Sequence, residues 1–364
     1  MANYSFIPPT IKWLLGILFL LPLSLPAQDL HIAAYYYPWY DKQHWQEGYI
    51  RSQMNPPQLP LLGEYRSKDR EVIRQHQAWS ETYGIDSWIC SWWGKGKKTD
   101  RILKKSILPE LEGSPTKVAL FYESAGILGM KNGRIRIDRE AIRQLEEDVE
   151  YLAVHYFDHP NYLKVAGRPV LFLYLTRAFY GELDTAFRTI RSTAQAYGFD
   201  LYLVGDEVFW QLPNRNTISL LDGITPYNMH GPWQFNGYPE QTGFFREVDR
   251  KYQLYQYTAR KNNTSFIPNA FPGFNDKGVR PEANHYLIPP QSHPDSNQVS
   301  TFRTYLDIAK KYVDPDIKML TITSFNEWHE DTQIEPVRIP LGKAAENNYG
   351  MKFLELIRAL DESR

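Results

Sequence analysis

Along the chain, short runs of apolar and β-branched residues alternate with longer stretches whose apolar positions recur every three or four residues. The short runs read as strands at 31–37, 86–93, 117–123, 168–175, 200–205, 223–227, 265–269 and 318–324. The longer stretches read as helices at 69–83, about 99–111, 139–156, 183–197, 217–221, 243–262, 301–313 and 349–360, with Ser67 as a cap for the first. Eight such alternations, with no internal repeat and no low-complexity linker, predict one α/β domain, a (β/α)8 TIM barrel with extended βα loops. The loop at 41–66 is longer than ordinary connections, which marks it as functional, and a second long loop runs through 272–297. A doubly wound open sheet is the competing arrangement. The barrel is preferred because Tyr37, Trp92, Glu123, Glu207, Tyr227 and Glu327 all fall at or just past the C-terminal ends of strands, which a barrel gathers around one mouth.

The chemistry concentrates in residues 318–336, KMLTITSFNEWHEDTQIEP. A strand of the kind buried on both faces ends abruptly there, and Asn326, Glu327, Trp328, His329 and Glu330 follow on one turn. If that turn is helical, Glu327 and Glu330 project from the same side. Two carboxylates in one partly dry site cannot ionise equally and divide into a proton donor and a base, which is the equipment of a glycosidase. A Glu-x-x-Glu pair is also common on solvated helices, but Trp328 and His329 between the carboxylates are not what a solvated face carries. Carboxylates and histidines also serve metals; His329 between two glutamates is no recognised cage, so neither a metal nor another cofactor is expected.

The string TITSFNEWHEDTQIE, residues 321–335, closely resembles the SITSFNEWHEGTQIE of the endo-α-mannosidases and endo-α-mannanases of glycoside hydrolase family 99. Tyr36, Tyr37, Trp39 and Tyr40 resemble the family's YYxWY segment, and LGEYRSKD at 62–69, Ser91 with Trp92, and PNAFPGFNDKGVR at 268–280 follow in the family's order. The resemblance implies a retaining hydrolase of internal α-mannosidic bonds. It implies that Glu327 acts as base on the 2-hydroxyl of the mannose being cleaved, so that this oxygen closes a 1,2-anhydro sugar. Glu330 would then protonate the leaving oxygen and later activate water. The more usual retaining route, with a carboxylate attacking carbon, is not separated from this one by the sequence. On chemical grounds Glu330 would need an apolar or anionic neighbourhood to hold its proton, and Glu327 would need hydrogen bonds to stay ionised. Tyr37, Trp92, Glu123, Glu207, Tyr227, Asn326 and His329 are the expected substrate-binding residues, Tyr37 facing the reacting sugar and Trp92 stacking on one. Two departures stand out. Ser124 and Ala125 follow Glu123 where the family commonly has Pro-Tyr, and Asp331 replaces a glycine, adding a negative charge beside the expected acid.

Composition narrows the partners. A formal net charge of -1 and a pI near 6.8 make no case for nucleic acid or an anionic membrane. Ten Trp, 25 Tyr and 18 Phe supply flat amphipathic surface suited to sugar rings, part of it needed for the core. Lys12, the apolar run 13–23 and the segment Ser24 to Ala27 have the layout of a secretory signal cleaved after Ala27, so residues 1–27 are read as a signal peptide and 28–364 as the catalytic domain. The protein is therefore expected to be exported, periplasmic or extracellular, without stable membrane insertion, and stabilised by its core because its one cysteine, Cys90, can form no internal disulfide. The basic patch Lys95, Lys97 and Lys98 reads first as a solvated loop that could meet a phosphorylated or sulfated glycan. Two other classes remain open: a non-catalytic carbohydrate-binding or glycan-assembly protein on the same barrel, and a related hydrolase of another α-glycan or modified polysaccharide. The oligomeric state is not legible.

Overall fold

Strands β1 (His31–Tyr36), β2 (Ser87–Trp92), β3 (Lys117–Tyr122), β4 (Arg168–Leu173), β5 (Tyr202–Asp206) and β6 (Gly223–Thr225) pair in parallel in that order. The seventh strand, β7, comes in two pieces: Ser265–Phe266 pairs with β6 and Asn269–Ala270 with β8 (Met319–Ile322), which pairs back onto β1. One short segment thus closes the sheet, as the barrel expectation requires and an open sheet does not. The computed structural model describes residues 30–46, 58–231, 233–280, 287–338 and 349–362, besides Met1. The expected signal peptide and much of the loop at 41–66 lie outside the described residues.

The helices follow the strands: α1 (Arg70–Tyr83), α2 (Lys98–Ile102, continued through Leu103–Ile107 and Leu108–Leu111), α3 (Arg139–His155), α4 (Leu183–Ala196), α5 (Arg215–Ile218), α6 (Phe244–Lys261), α7 (Ser300–Lys310) and α8 (Lys352–Glu362). Each long helix turns a buried apolar stripe to the sheet, as Leu145, Val149 and Leu152 do in α3. Asp138 starts α3 by accepting the Glu140 and Ala141 N–H groups, and Gly84 ends α1 in the left-handed region. Ser67 does not cap α1: Asp69 stands at that position, and the Ser67 hydroxyl accepts the Tyr40 N–H at 3.0 Å. Among the described residues no helix is long and apolar enough to cross a membrane.

Strand register decides which side chains reach the barrel's interior. Pairings Tyr35 with Ile89, Ser91 with Phe121, Phe121 with Phe172, Phe172 with Val204 and Thr225 with Asp206 place one parity of β1 to β6 inside. Projected past the strand ends, the inward set is Tyr37, Trp93, Glu123, Tyr174, Asp206 and Tyr227. Trp92 and Glu207 belong to the outward set.

Candidate active site

The loop after β8 carries the glutamates, and its own backbone closes it. Ser324 N–H donates to Thr332 O at 2.7 Å, Ile334 N–H to Ser324 O at 2.9 Å, and Glu335 N–H to Phe325 O at 2.8 Å. The segment between is a turn rather than the helical turn that the Glu-x-x-Glu spacing suggested. Under it lies a dry polar knot. The buried Glu335 carboxylate accepts from the Tyr65 hydroxyl at 2.8 Å, the Trp328 indole N–H at 2.7 Å and the His76 ring at 3.1 Å. A buried carboxylate is tolerated only with such partners, and here they fix the base of the loop. Asp331 sits at φ 55, the left-handed region where a glycine costs nothing and Asp is among the better-tolerated substitutes.

Glu327 and Glu330 open into one hollow of about 170 Å³, walled by Tyr37, Trp39, Trp93, Glu123, Tyr174 and Tyr227 over a floor of Phe121. The Tyr37 and Tyr227 hydroxyls hydrogen-bond each other across it. Tyr227 packs edge-on to Tyr35 and stacks with Phe121, at centroid separations of 5.0 and 5.4 Å. Trp39 lies against Tyr37 at 4.5 Å. This ring of aromatic faces and hydroxyls suits a sugar, whose two faces are apolar and whose edge is polar.

The structure brings Tyr37, Glu123, Tyr227, Glu327 and Glu330 together as expected from sequence and places four other residues elsewhere. Trp92 is fully buried behind β2, its indole N–H donating to Asp100 on α2 at 3.1 Å; strand parity turns Trp93 to the hollow instead, 40% exposed. Glu207 also points outward, where its carboxylate accepts from Asn214 N–H at 2.9 Å and from the Thr217 hydroxyl, tying down the start of α5. Burial pushes its carboxyl up to about 7. Asn326 is buried and acts on the backbone: its Oδ1 accepts Tyr37 N–H at 2.7 Å and its Nδ2 donates to Tyr37 O at 3.2 Å, which locks the turn presenting Tyr37. His329 contributes its main chain, donating N–H to Glu327 Oε1 at 2.8 Å, while its ring stacks on His44 at 4.6 Å. Trp93 and Tyr174 enter the wall without having been singled out, and Trp39 was named only within the aromatic motif after the first strand; each is an aromatic at or just beyond a strand end, but only the structure shows which way it faces.

Electrostatics in the hollow are dominated by burial. It pushes the Glu123 carboxyl up to about 8, helped by Glu330 and Asp206 and opposed by the Ser91 hydroxyl, which donates to Glu123 Oε1 at 2.6 Å. Trp93 Nε1 donates in turn to Ser91 Oγ at 2.9 Å, so the hollow's tryptophan and its neutral carboxyl are linked through one serine. Glu327 is raised well above the ordinary range by burial and then by Glu330, against backbone N–H donors that favour its anion. Glu330 is raised as well, by burial, but a guanidinium opposes it: Arg280 Nη2 stands 3.1 Å from Glu330 Oε1. The neighbourhood expected for Glu330 was apolar or anionic, so this cation is a correction. Asp276 raises Glu330, and it also binds Arg280 at 2.6 Å and draws off part of its charge; the Asp331 Oδ1 accepts from Gln333 at 3.1 Å.

Among the described residues no group of three or more His, Cys, Asp or Glu side chains could hold a metal. His155 and His159 stand four apart, a spacing two ligands share on a helix, but α3 ends at His155 and the His159 ring accepts Asn161 N–H at 3.1 Å.

Comparisons with known proteins find glycoside hydrolases. The family model for Glycosyl hydrolase family 99 matches residues 225–353, the span that holds Tyr227, Arg280, Glu327 and Glu330. A glycoprotein endo-α-1,2-mannosidase-like protein of Danio rerio is 27% identical over 346 residues, covering 84% of this chain and 70% of the relative. The glycoprotein endo-α-1,2-mannosidase of Mus musculus is 24% identical over 357 residues, with 86% and 69% covered. In fold, the GH99 endo-α-mannosidase of Bacteroides thetaiotaomicron superposes with a TM-score of 0.63 at 20% identity, covering 92% of this chain and 97% of that one. A structure described as a glycoside hydrolase-like protein superposes with a TM-score of 0.73 at 19% identity, covering 94% and 97%.

Proposed function

Because the chain belongs to glycosyl hydrolase family 99, we propose that it is a retaining endo-acting hydrolase of internal α-mannosidic linkages in a mannan or mannose-rich glycan. The observation that carries the reading is the shared hollow: Glu327 and Glu330 face one sugar-sized space walled by tyrosine and tryptophan. In this proposal the pair carries one proton between two carboxyls that cannot both ionise. Glu327 acts as base on the sugar's 2-hydroxyl, as the family resemblance implies; the backbone N–H groups around it favour its anion against the burial that raises its carboxyl. The family resemblance assigns Glu330 the proton given to the leaving oxygen and taken back from water; burial and Asp276 favour that proton, against the Arg280 guanidinium that favours the Glu330 anion. Glu123, neutral at pH 7, and the Tyr37 and Tyr227 hydroxyls hold the sugar's edge, while Trp39 and Trp93 cover its faces. The layout of residues 12–27 supports export, with catalysis in the periplasm or outside the cell.

A related hydrolase of another α-glycan is the second reading. It is favoured by the short helix Ser124–Ile127, which begins directly after Glu123 where the family commonly has Pro-Tyr.

Glu330→Gln and Glu327→Gln test the division of labour. Glu330→Gln is expected to abolish cleavage of sugar leaving groups while sparing glycosyl fluoride or activated aryl donors, which need no proton to depart; Glu327→Gln is expected to lose both. Equal loss on both kinds of donor in the two variants would refute the assigned roles.

A further inference from the structure

A second cavity opens at the same end of the barrel. It is a groove of about 440 Å³ whose charged lining is Asp41, Arg66, Lys68, Lys98, Arg101 and Lys105, five cations against one carboxylate in a chain of net charge -1. The cations converge from two elements. Arg66 and Lys68 precede α1, while Lys98, Arg101 and Lys105 recur along one face of α2 and its continuation at spacings of three and four. A solvated helix face ordinarily interleaves both signs. Here the one acid on that stretch of α2, Asp100, is turned away and buried against Trp92, Tyr151 and Tyr156. Lys98 pairs with Asp41 at 2.5 Å and Arg66 with Asp69 at 3.3 Å, but among the described residues no carboxylate pairs with Lys68 or Lys105. Like charges gathered in a groove repel one another and focus a positive potential that an anion relieves.

The groove adjoins the hollow. Trp39 walls the hollow and Asp41, two residues on, lines the groove, a separation of at most about 7 Å along the chain. A groove lined by lysine and arginine side chains together with Ser106 suits a tetrahedral oxyanion. We propose that this groove binds a sulfate or phosphate ester carried by the glycan, so that the enzyme selects an esterified α-glycan over its neutral counterpart. The proposal rests on the reading of the chain as a glycan hydrolase. It also divides the basic patch seen in the sequence: Lys98 serves this groove, whereas Lys95 and Lys97 line a different one with Glu147 and Glu150.

The test compares neutral, sulfated and phosphorylated preparations of one α-mannan, using the wild-type protein and the Lys68→Gln/Lys105→Gln double variant. The wild type is expected to show a higher kcat/KM on at least one esterified form, more so at low salt. The double variant is expected to lower the esterified-to-neutral ratio by about tenfold or more. The sulfated and phosphorylated arms tell which ester is taken. An unchanged ratio in the variant, or no preference in the wild type, overturns the proposal. If no preparation is cleaved, the hydrolase reading fails separately, and calorimetric titration with sulfated mannan decides the groove alone: tighter binding by the wild type supports it, equal binding refutes it. Inorganic sulfate binding as tightly as the sulfated mannan would assign the groove to a free ion and also overturn the proposal.

Discussion

Glu123→Gln is expected to make the protein more stable and less active, and the pH dependence of the gain identifies its cause. Burial lifts the Glu123 carboxyl from 4.5 to about 8. A raised carboxyl inverts the usual sign: between these two values the unfolded chain has released the proton and the native state retains it. The native state then binds more protons than the unfolded one, and stability falls as pH rises. The loss is about 1.4 kcal/mol per pH unit across that window, which amounts to about 3 kcal/mol at pH 7 and disappears below pH 4.5, where both states are protonated. Glutamine removes the titration and keeps an oxygen to accept the Ser91 hydroxyl, which donates to Glu123 Oε1 at 2.6 Å in the wild type. Thermal unfolding of both proteins from pH 4.5 to 8 should therefore show melting temperatures that coincide at the acid end and diverge in the variant's favour by several degrees at pH 7. A variant less stable than the wild type at pH 7, or a gain of equal size at every pH, would refute the reasoning.

Gly126→Ala is expected to lower kcat/KM on a glycan while leaving the melting temperature within a few degrees. A Cβ at Gly126 would lie 2.4 Å from Trp93 Cζ3, so the indole that walls the hollow must move. Unchanged kinetics would show that Trp93 is not held where the sugar meets it. Asp331→Gly is expected to stabilise the protein by roughly 0.5–1 kcal/mol in chemical denaturation, because φ 55 costs glycine nothing and costs Asp a strained backbone. A loss of stability would mean that the Asp331 contact with Gln333 outweighs that strain.

Most of the fold was legible because a barrel repeats one signal: apolar strand, polar turn, amphipathic helix. The boundaries that slipped did so where tertiary pairing overrides composition. The run 265–269 reads as one strand, yet Ile267 and Pro268 separate two pieces that serve different neighbours, since Pro268 has no N–H to give a ladder. The site was legible in its ends and not in its faces. Position past a strand end picked out Tyr37, Glu123, Tyr227 and Glu327, but Trp92 and Trp93 are adjacent and only the register of β2 on β1 and β3 decides that Trp93 faces in. The same parity separates Asp206 from Glu207. Arg280 stayed hidden for a different reason. It lies fifty residues from Glu330, and no local pattern indicates that its guanidinium reaches that carboxylate.

The most direct test of the account is a proton NMR time course of an α-mannan digest by the wild-type protein and by Glu327→Gln. The account predicts that the wild type releases oligosaccharides from within the chain, that their new reducing ends appear first as the α-anomer, and that the variant releases none. New ends appearing first as the β-anomer, or products undiminished in Glu327→Gln, would contradict it.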